Sequence, residues 1–175
     1  MTWDPAWTTS DRLVGPYCVI LGELRTTTRF RMDPFCLVTT QVEAGDAVQV
    51  CSHVAMVGGP QRTVHFKGWN FVAYHSRLIC GSEDFTGDYG PVNAWWGKNR
   101  VNAADITFEK FSGVCSNVTV MPGVVLPEGC VIGAGALVRP QDKLEPWAIK
   151  KGALWYPRNR VAVEAKVREW SRDTP

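Results

Sequence analysis

Three histidines carry most of this sequence's capacity for proton transfer: His53 in CSHVAMVGG, His65 in TVHFKGW and His75 in AYHSRLICGSEDF. A neutral imidazole takes a proton from an attacking hydroxyl or amine, which is the work of a general base. Glu83 and Asp84 follow His75 closely, and a carboxylate beside an imidazole fixes its tautomer and stabilises the imidazolium. Just beyond them, Asn93, Trp95, Trp96, Lys98, Asn99 and Arg100 set aromatic faces next to amide and cationic tips. Such a set suits a sugar, whose C–H faces pack on rings while its hydroxyls bond to polar tips. Trp95 and Trp96 equally suit packing against a second subunit, and both uses can hold together. No Ser or Cys stands in a recognisable nucleophile motif, so the expected chemistry is direct attack without a covalent intermediate.

Composition bounds the rest. The chain has 175 residues, 45% of them apolar and 21% charged, the balance of one globular domain with a sizeable core. Its 19 basic and 17 acidic side chains leave a net charge of +2, which gives no footing for a nucleic-acid or membrane-surface partner. No apolar run approaches the ~20 residues of a membrane span. The opening MTWDPAWTTSDR lacks the basic-then-apolar layout of a signal peptide, so a cytoplasmic setting is expected. Six cysteines, at 18, 36, 51, 80, 115 and 130, form no C-x-x-C pair and stand at no zinc-finger spacing from a histidine. Free thiols are expected.

The elements that must position these side chains follow from a period of six. Phe30, Cys36, Val42, Val48 and Val54, then Phe66, Val72 and Leu78, then Phe108, Val114, Val120, Leu126, Ile132, Val138 and Leu144 recur at every sixth position, with Pro60 alone out of type. Neither a helix nor a strand has that period. The residue two before is often small: Ser52, Gly58, Ser76, Ser82, Ser112 and Ala136. An inward pair two residues apart is a short strand, and the remaining residues turn a corner where Gly and Pro are at home. Three such units close a triangular coil, and stacked coils make a prism. In this register His53 precedes inward Val54 and points out of a face, while His75, three after Val72, sits at a corner. His65 and Glu83 stand one 18-residue coil apart, so a uniform register sets them side by side.

The segment NVTVMPGVVLPEGCVIGAGALV resembles the hexapeptide-repeat acyltransferases. Pro122-Gly123-Val124 and Ile132-Gly133-Ala134-Gly135 carry the likeness, which extends over residues 40 to 155. The resemblance implies an all-β fold, a left-handed parallel β-helix, to which the break in the repeat over 83–105 adds an excursion loop and the apolar spacing of the tail a short C-terminal α-helix. It also implies a homotrimer that holds acyl-CoA, most simply acetyl-CoA, in a groove between adjacent prisms. SEDFTG is similar to the S-x-D-x-x-G loop start of polysaccharide-cluster acetyltransferases, and the sugar-acetylating branch has a His where this chain has Glu83. By the same resemblance Ser116 and Ala134 align with the positions that hold pantetheine. Lys150, Lys151 and Arg158, in LEPWAIKKGALWYPRNR, would meet the CoA phosphates.

The expected organisation is cap strands over 1–29, a β-helix over 30–156 with an excursion loop over 83–105, and a C-terminal helix over 157–175. In that helix Val163, Val167 and Trp170 share one face. The expected activity is transfer of an acetyl group from acetyl-CoA to a hydroxyl or amine of a sugar or sugar conjugate. His53 or His75 serves as base with Glu83 and Asp84 nearby, and Asn93, Trp95, Trp96 and Lys98 select the acceptor. Two alternatives come from other classes. A metal-dependent hydratase of the gamma carbonic anhydrase type binds metal through two His five apart and a third, a spacing this chain does not match, and no metal is expected. A non-catalytic trimeric scaffold leaves the tryptophans and acids without a role.

Overall fold

Strands of only two to four residues recur along the chain, too short to stand alone and stable only when stacked. The computed structural model describes residues 12–83 and 101–172. A first sheet stacks Arg12–Val14, Phe30–Met32, Val48–Val50, Asn70–Val72, Gly113–Val114, Val131–Ile132 and Ala148–Lys151 in parallel, and Leu154–Pro157 closes it antiparallel. A second sheet stacks Val19–Ile20, Leu37–Val38, Ala55–Val57, Arg77–Ile79, Thr119–Val120 and Leu137–Val138. A third stacks Leu24–Thr26, Gln41–Ala44, Thr63–Phe66, Ile106–Phe108 and Val125–Leu126. The result is a parallel β-helix, followed by one described α-helix, Arg160–Arg172. Residues 12–26 already form a coil paired to the next one, so the segment expected as cap strands supplies the first turn.

The core is the line of inward side chains. Phe30, Met32, Val42, Val48, Met56, Phe66, Leu78, Phe108, Leu126 and Ile132 are among those fully buried. Ser76 and Ser112, two of the small residues noted in the sequence, are buried too. The Ser76 hydroxyl donates to the Cys115 carbonyl and accepts from the Val118 amide. Ser52 lies half-buried at a corner and Ser82 in a hairpin, so neither fills the prism.

The register is not uniform. Phe30 pairs with Val48, eighteen residues on, but Val48 pairs with Asn70, a step of 22. The four extra residues fall in the corner Gly58-Gly59-Pro60-Gln61, and Pro60 is exposed rather than inward. Gly58 is needed there: its φ is +143°, and a Cβ would fall 2.5 Å from the Gly81 amide nitrogen. Val72 pairs with Val114 across the excursion. That excursion leaves the corner between the second and third sheets as an antiparallel pair, Gly81–Glu83 with Val101–Ala103.

The other two corners are ladders of left-handed residues. Tyr17, Phe35, His53, His75, Asn117 and Gly135 mark the corner between the first and second sheets. Arg29, Ala47, Trp69, Phe111, Gly129 and Trp147 mark the one between the third and first. Left-handed backbone costs roughly 1–2 kcal/mol per non-glycine residue. Hydrogen bonds between coils offset it, such as Asn117 amide to Tyr74 carbonyl at 2.9 Å and Trp69 amide to Asp46 carbonyl at 2.8 Å. The final helix, capped by the Asn159 side chain on the Ala162 amide, lays Val163, Val167 and Trp170 along the Trp69–Phe111 corner.

Candidate functional site

On the outer side of the third sheet, Arg25, Glu43, His65 and Thr107 occupy successive coils in register. Strand alternation puts them there: Val42, Ala44, Val64 and Phe66 are buried, so Glu43 and His65 must point out. The His65 Nδ1 lies 3.0 Å from Glu43 Oε2. An ionised carboxylate only accepts, so this contact calls for the proton on Nδ1, and in the neutral imidazole Nε2 then holds the lone pair. Asp105, where the excursion rejoins the coil, places Oδ2 3.7 Å from Nε2. Its Oδ1 accepts from the Thr63 amide at 3.0 Å. Arg25 reaches Glu43 at 3.5 Å and Glu23 at 2.6 Å. Beside this group a cleft of about 420 Å³ is lined by Arg25, Thr27, Glu43, Gly45, His65 and Lys67. This is an oriented imidazole open to a cavity, the arrangement of a general base.

In the sequence His65 ranks behind His53 and His75 as a candidate base, and the partners it has here are not the one expected. A uniform 18-residue coil sets it beside Glu83. The inserted corner instead pairs it with Glu43, and the excursion pairs it with Thr107. Glu83 lies off the coil, paired with Val101, and among the described residues its buried Oε2 has no hydrogen-bond partner. Asp84, Asn93, Trp95, Trp96 and Lys98 lie outside the described residues. The signal that finds Glu43 is the GGPQ insertion, read as a shift of register.

His53 and His75 do come together. Their rings stack at 4.8 Å, and the column continues through Phe35 at 5.1 Å and Tyr17 at 5.2 Å. Both imidazoles are exposed, and among the described residues no carboxylate bonds to either. Directly below in the same corner stand Ser116–Asn117 and Ala134–Gly135, joined by the Gly135 amide on the Ser116 carbonyl at 3.0 Å. Gly135 has open space where a Cβ would project. Four residues singled out from distant parts of the sequence thus lie along one edge. That edge is opposite the third sheet, so the His65 cleft faces away from it.

At the C-terminal end, Lys150 lies over Trp155 and Lys151 over Tyr156, at 5.9 and 5.3 Å. Arg158 donates to the Phe111 and Gly129 carbonyls at 2.6 and 3.0 Å and stacks on Trp147. Burial pulls its pKa below the usual guanidinium range. Its donors tie the tail to a corner of the helix. All six cysteines are free, and burial pushes the Cys36, Cys80 and Cys130 thiols up to about 12. Among the described residues no cluster of His, Cys, Asp and Glu is placed to hold a metal ion. No described helix is long and apolar enough to cross a membrane.

No protein-family model and no curated protein matches the chain. Solved structures do. AntD, an N-acyltransferase from Bacillus cereus in complex with dTDP and 3-hydroxybutyryl-CoA, is 19% identical; 93% of this chain and 89% of that chain are covered, at a TM-score of 0.73. A variant of AntD with dTDP-4-amino-4,6-dideoxyglucose and coenzyme A is 20% identical over 91% of each chain, TM-score 0.67. A hexapeptide-repeat-containing acetyltransferase from Vibrio cholerae is 18% identical, covering 79% of this chain and 73% of that one, TM-score 0.53. Identities this low establish a shared hexapeptide-repeat fold.

Proposed function

We propose that this protein is an acyl-CoA-dependent acyltransferase that moves an acetyl or related small acyl group to a hydroxyl or amine of a sugar conjugate. The observation that carries the reading is the His65–Glu43 pair, 3.0 Å apart and open to a cleft. In direct attack, His65 Nε2 takes the proton from the acceptor as it adds to the thioester carbonyl, and Glu43 stabilises the imidazolium that forms. The imidazolium then gives that proton to the departing thiolate of CoA. The bound acyl-CoA and nucleotide-linked amino sugar in AntD support the choice of donor and acceptor class.

The proposed donor strip, Ser116 and Ala134, runs along the edge opposite the third sheet. Donor and base therefore meet only where the edge of one copy approaches the third sheet of the next, as a homotrimer allows. Lys150 and Lys151 lie at the C-terminal end of the coils, suited to the CoA phosphates. The excursion loop, through Asn93, Trp95, Trp96 and Lys98, is assigned to the acceptor, with Glu83 and Asp84 at its start. A second reading places the base at His75, favoured by its position in line with Ser116 and Ala134. The test is release of CoA thiol from acetyl-CoA with a nucleotide-linked sugar. Transfer lost in His65→Ala and retained in His75→Ala supports the first reading; the reverse pattern supports the second. A thermal shift with zinc but none with acetyl-CoA would instead favour the hydratase alternative.

A further inference from the structure

We infer that Cys18 and Cys36 are a modification site, a thiol pair that a small disulfide of the glutathione class closes into a reversible cross-link between the first two coils. The inference stands apart from the acyltransferase reading. Val19 pairs with Leu37 in register, and the Val19 amide donates to the Cys36 carbonyl at 2.9 Å. Cys18 and Cys36 stand one step before that pair, on adjacent coils. Neighbouring strands lie ~4.8 Å apart, within the about 4.4–6.8 Å between Cα atoms that a disulfide spans. The two sulfurs converge on one oxygen, the Asp33 carbonyl, at 3.3 and 3.2 Å. They also lie within hydrogen-bond reach of each other. The contact of Cys36 with Cys51 is to its backbone carbonyl, at 3.2 Å. Among the described residues the register sets no other two cysteines on adjacent coils.

Burial assigns the order of events. Cys18 is half-buried on the end strand of the second sheet, and Cys36 is buried beneath it. Cys18, as thiolate, attacks one sulfur of the small disulfide and expels one small thiolate. Cys36 then gives up its proton and attacks the Cys18 sulfur, expelling the second. The two small thiolates take up the two protons that the cysteines lost. Two protein thiols are oxidised, and one small disulfide is reduced to two thiols. Burial holds the Cys36 thiol protonated up to about 12, so Cys36 closes the bridge and does not meet the oxidant. Closure proceeds because the sulfurs are held together, on the seconds-to-hours scale of disulfide exchange.

The bridge ties down the coil with most to gain from it. Among the described residues the strands of the first coil pair on one side only, and end repeats are where a stacked fold opens first. Tyr17 and Phe35, which precede the two cysteines, stack at 5.2 Å. The bridge therefore also fixes the head of the ring column that continues to His53 and His75.

The test incubates the full chain with oxidised glutathione at pH 8, maps its cysteines by peptide mass and follows amide hydrogen exchange. Linked Cys18–Cys36 peptides are expected, with Cys51, Cys80 and Cys130 unmodified. Exchange over residues 12–26 is expected to slow by ~10-fold or more, and dithiothreitol should reverse both effects. Cys36→Ala is expected to keep glutathione on Cys18, with no bridge and no slowing. Cys115→Ser removes the other half-buried thiol and is expected to bridge like the wild type. If Cys36→Ala does not fold, the wild-type map decides alone. Wild type that does not react, that stops at glutathione on Cys18, that links Cys18 to another cysteine or that bridges only in denaturant overturns the inference. Unchanged exchange in the bridged protein overturns its role as a clamp on the first coil.

Discussion

His65→Ala tests the proposed base with little risk to the fold, because the ring points out of the third sheet between buried Val64 and Phe66. A positioned general base is worth about 10²- to 10⁴-fold. The variant is expected to lose at least ~100-fold in kcat, close to 2.7 kcal/mol of transition-state stabilisation, while its melting temperature holds. Glu43→Gln separates orientation from charge. The amide oxygen still accepts from Nδ1, so the tautomer survives, but the imidazolium loses its counter-charge at 3.0 Å. With the Glu43 side chain 45% exposed, a water-like dielectric is the fair lower bound and gives about 1.4 kcal/mol, a tenfold loss. That loss should appear in kcat with KM unchanged, since the charge forms only during the reaction. Added imidazole should restore part of the His65→Ala activity and none of the Glu43→Gln activity. The assay is initial-rate thiol release across acceptor concentrations. If both variants stay within about threefold of the wild type, the base is not at this cleft.

The fold was legible because its signal is redundant. Inward positions come in pairs two residues apart, so Val42 and Ala44 or Val64 and Phe66 are buried together. A shift of register by four turns the first member of a pair into the second and preserves the apolar period. That redundancy also hid the site. The insertion near Pro60 left the six-residue count intact on both sides, yet moved the coil neighbour of His65 to Glu43. Counting apolar residues cannot detect such a shift; only the outward residues register it, and these have no period of their own. Asp105 was hidden for a related reason, because it becomes a neighbour of Thr63 only once the excursion has closed on itself. The first corner was legible in part. Ser116 and Ala134 came from likeness and His53 and His75 from chemistry, and the left-handed ladder sets all four along one edge.

Further outcomes follow from the core, the tail and the thiols. Val120→Asp or Ile132→Asp sets an unpaired charge at a fully buried position and should abolish soluble protein, as size-exclusion chromatography would show; soluble, assembled protein from both would break the register. Arg158→Ala strands the Phe111 and Gly129 carbonyls and should cost about 1–3 kcal/mol in denaturant unfolding. Lys150→Ala should weaken CoA by ~1 kcal/mol or less in titration calorimetry; a complete loss would mean that Lys150 does more than meet a phosphate at the surface. The last outcome concerns alkaline pH. Cys36, Cys80 and Cys130 are held protonated up to about 12 by burial, against 9.0 ordinarily. Between those values the unfolded chain releases protons that the folded chain keeps, so deprotonation favours unfolding. Their effect is absent below pH 9, and stability should fall as pH rises from about 9 toward 12. Native protein at pH 8 should leave these three thiols unlabelled by iodoacetamide while the half-buried Cys18 and Cys115 react first. Prompt labelling of Cys80 without unfolding would mean that the core opens locally at that coil and that burial does not govern its thiol.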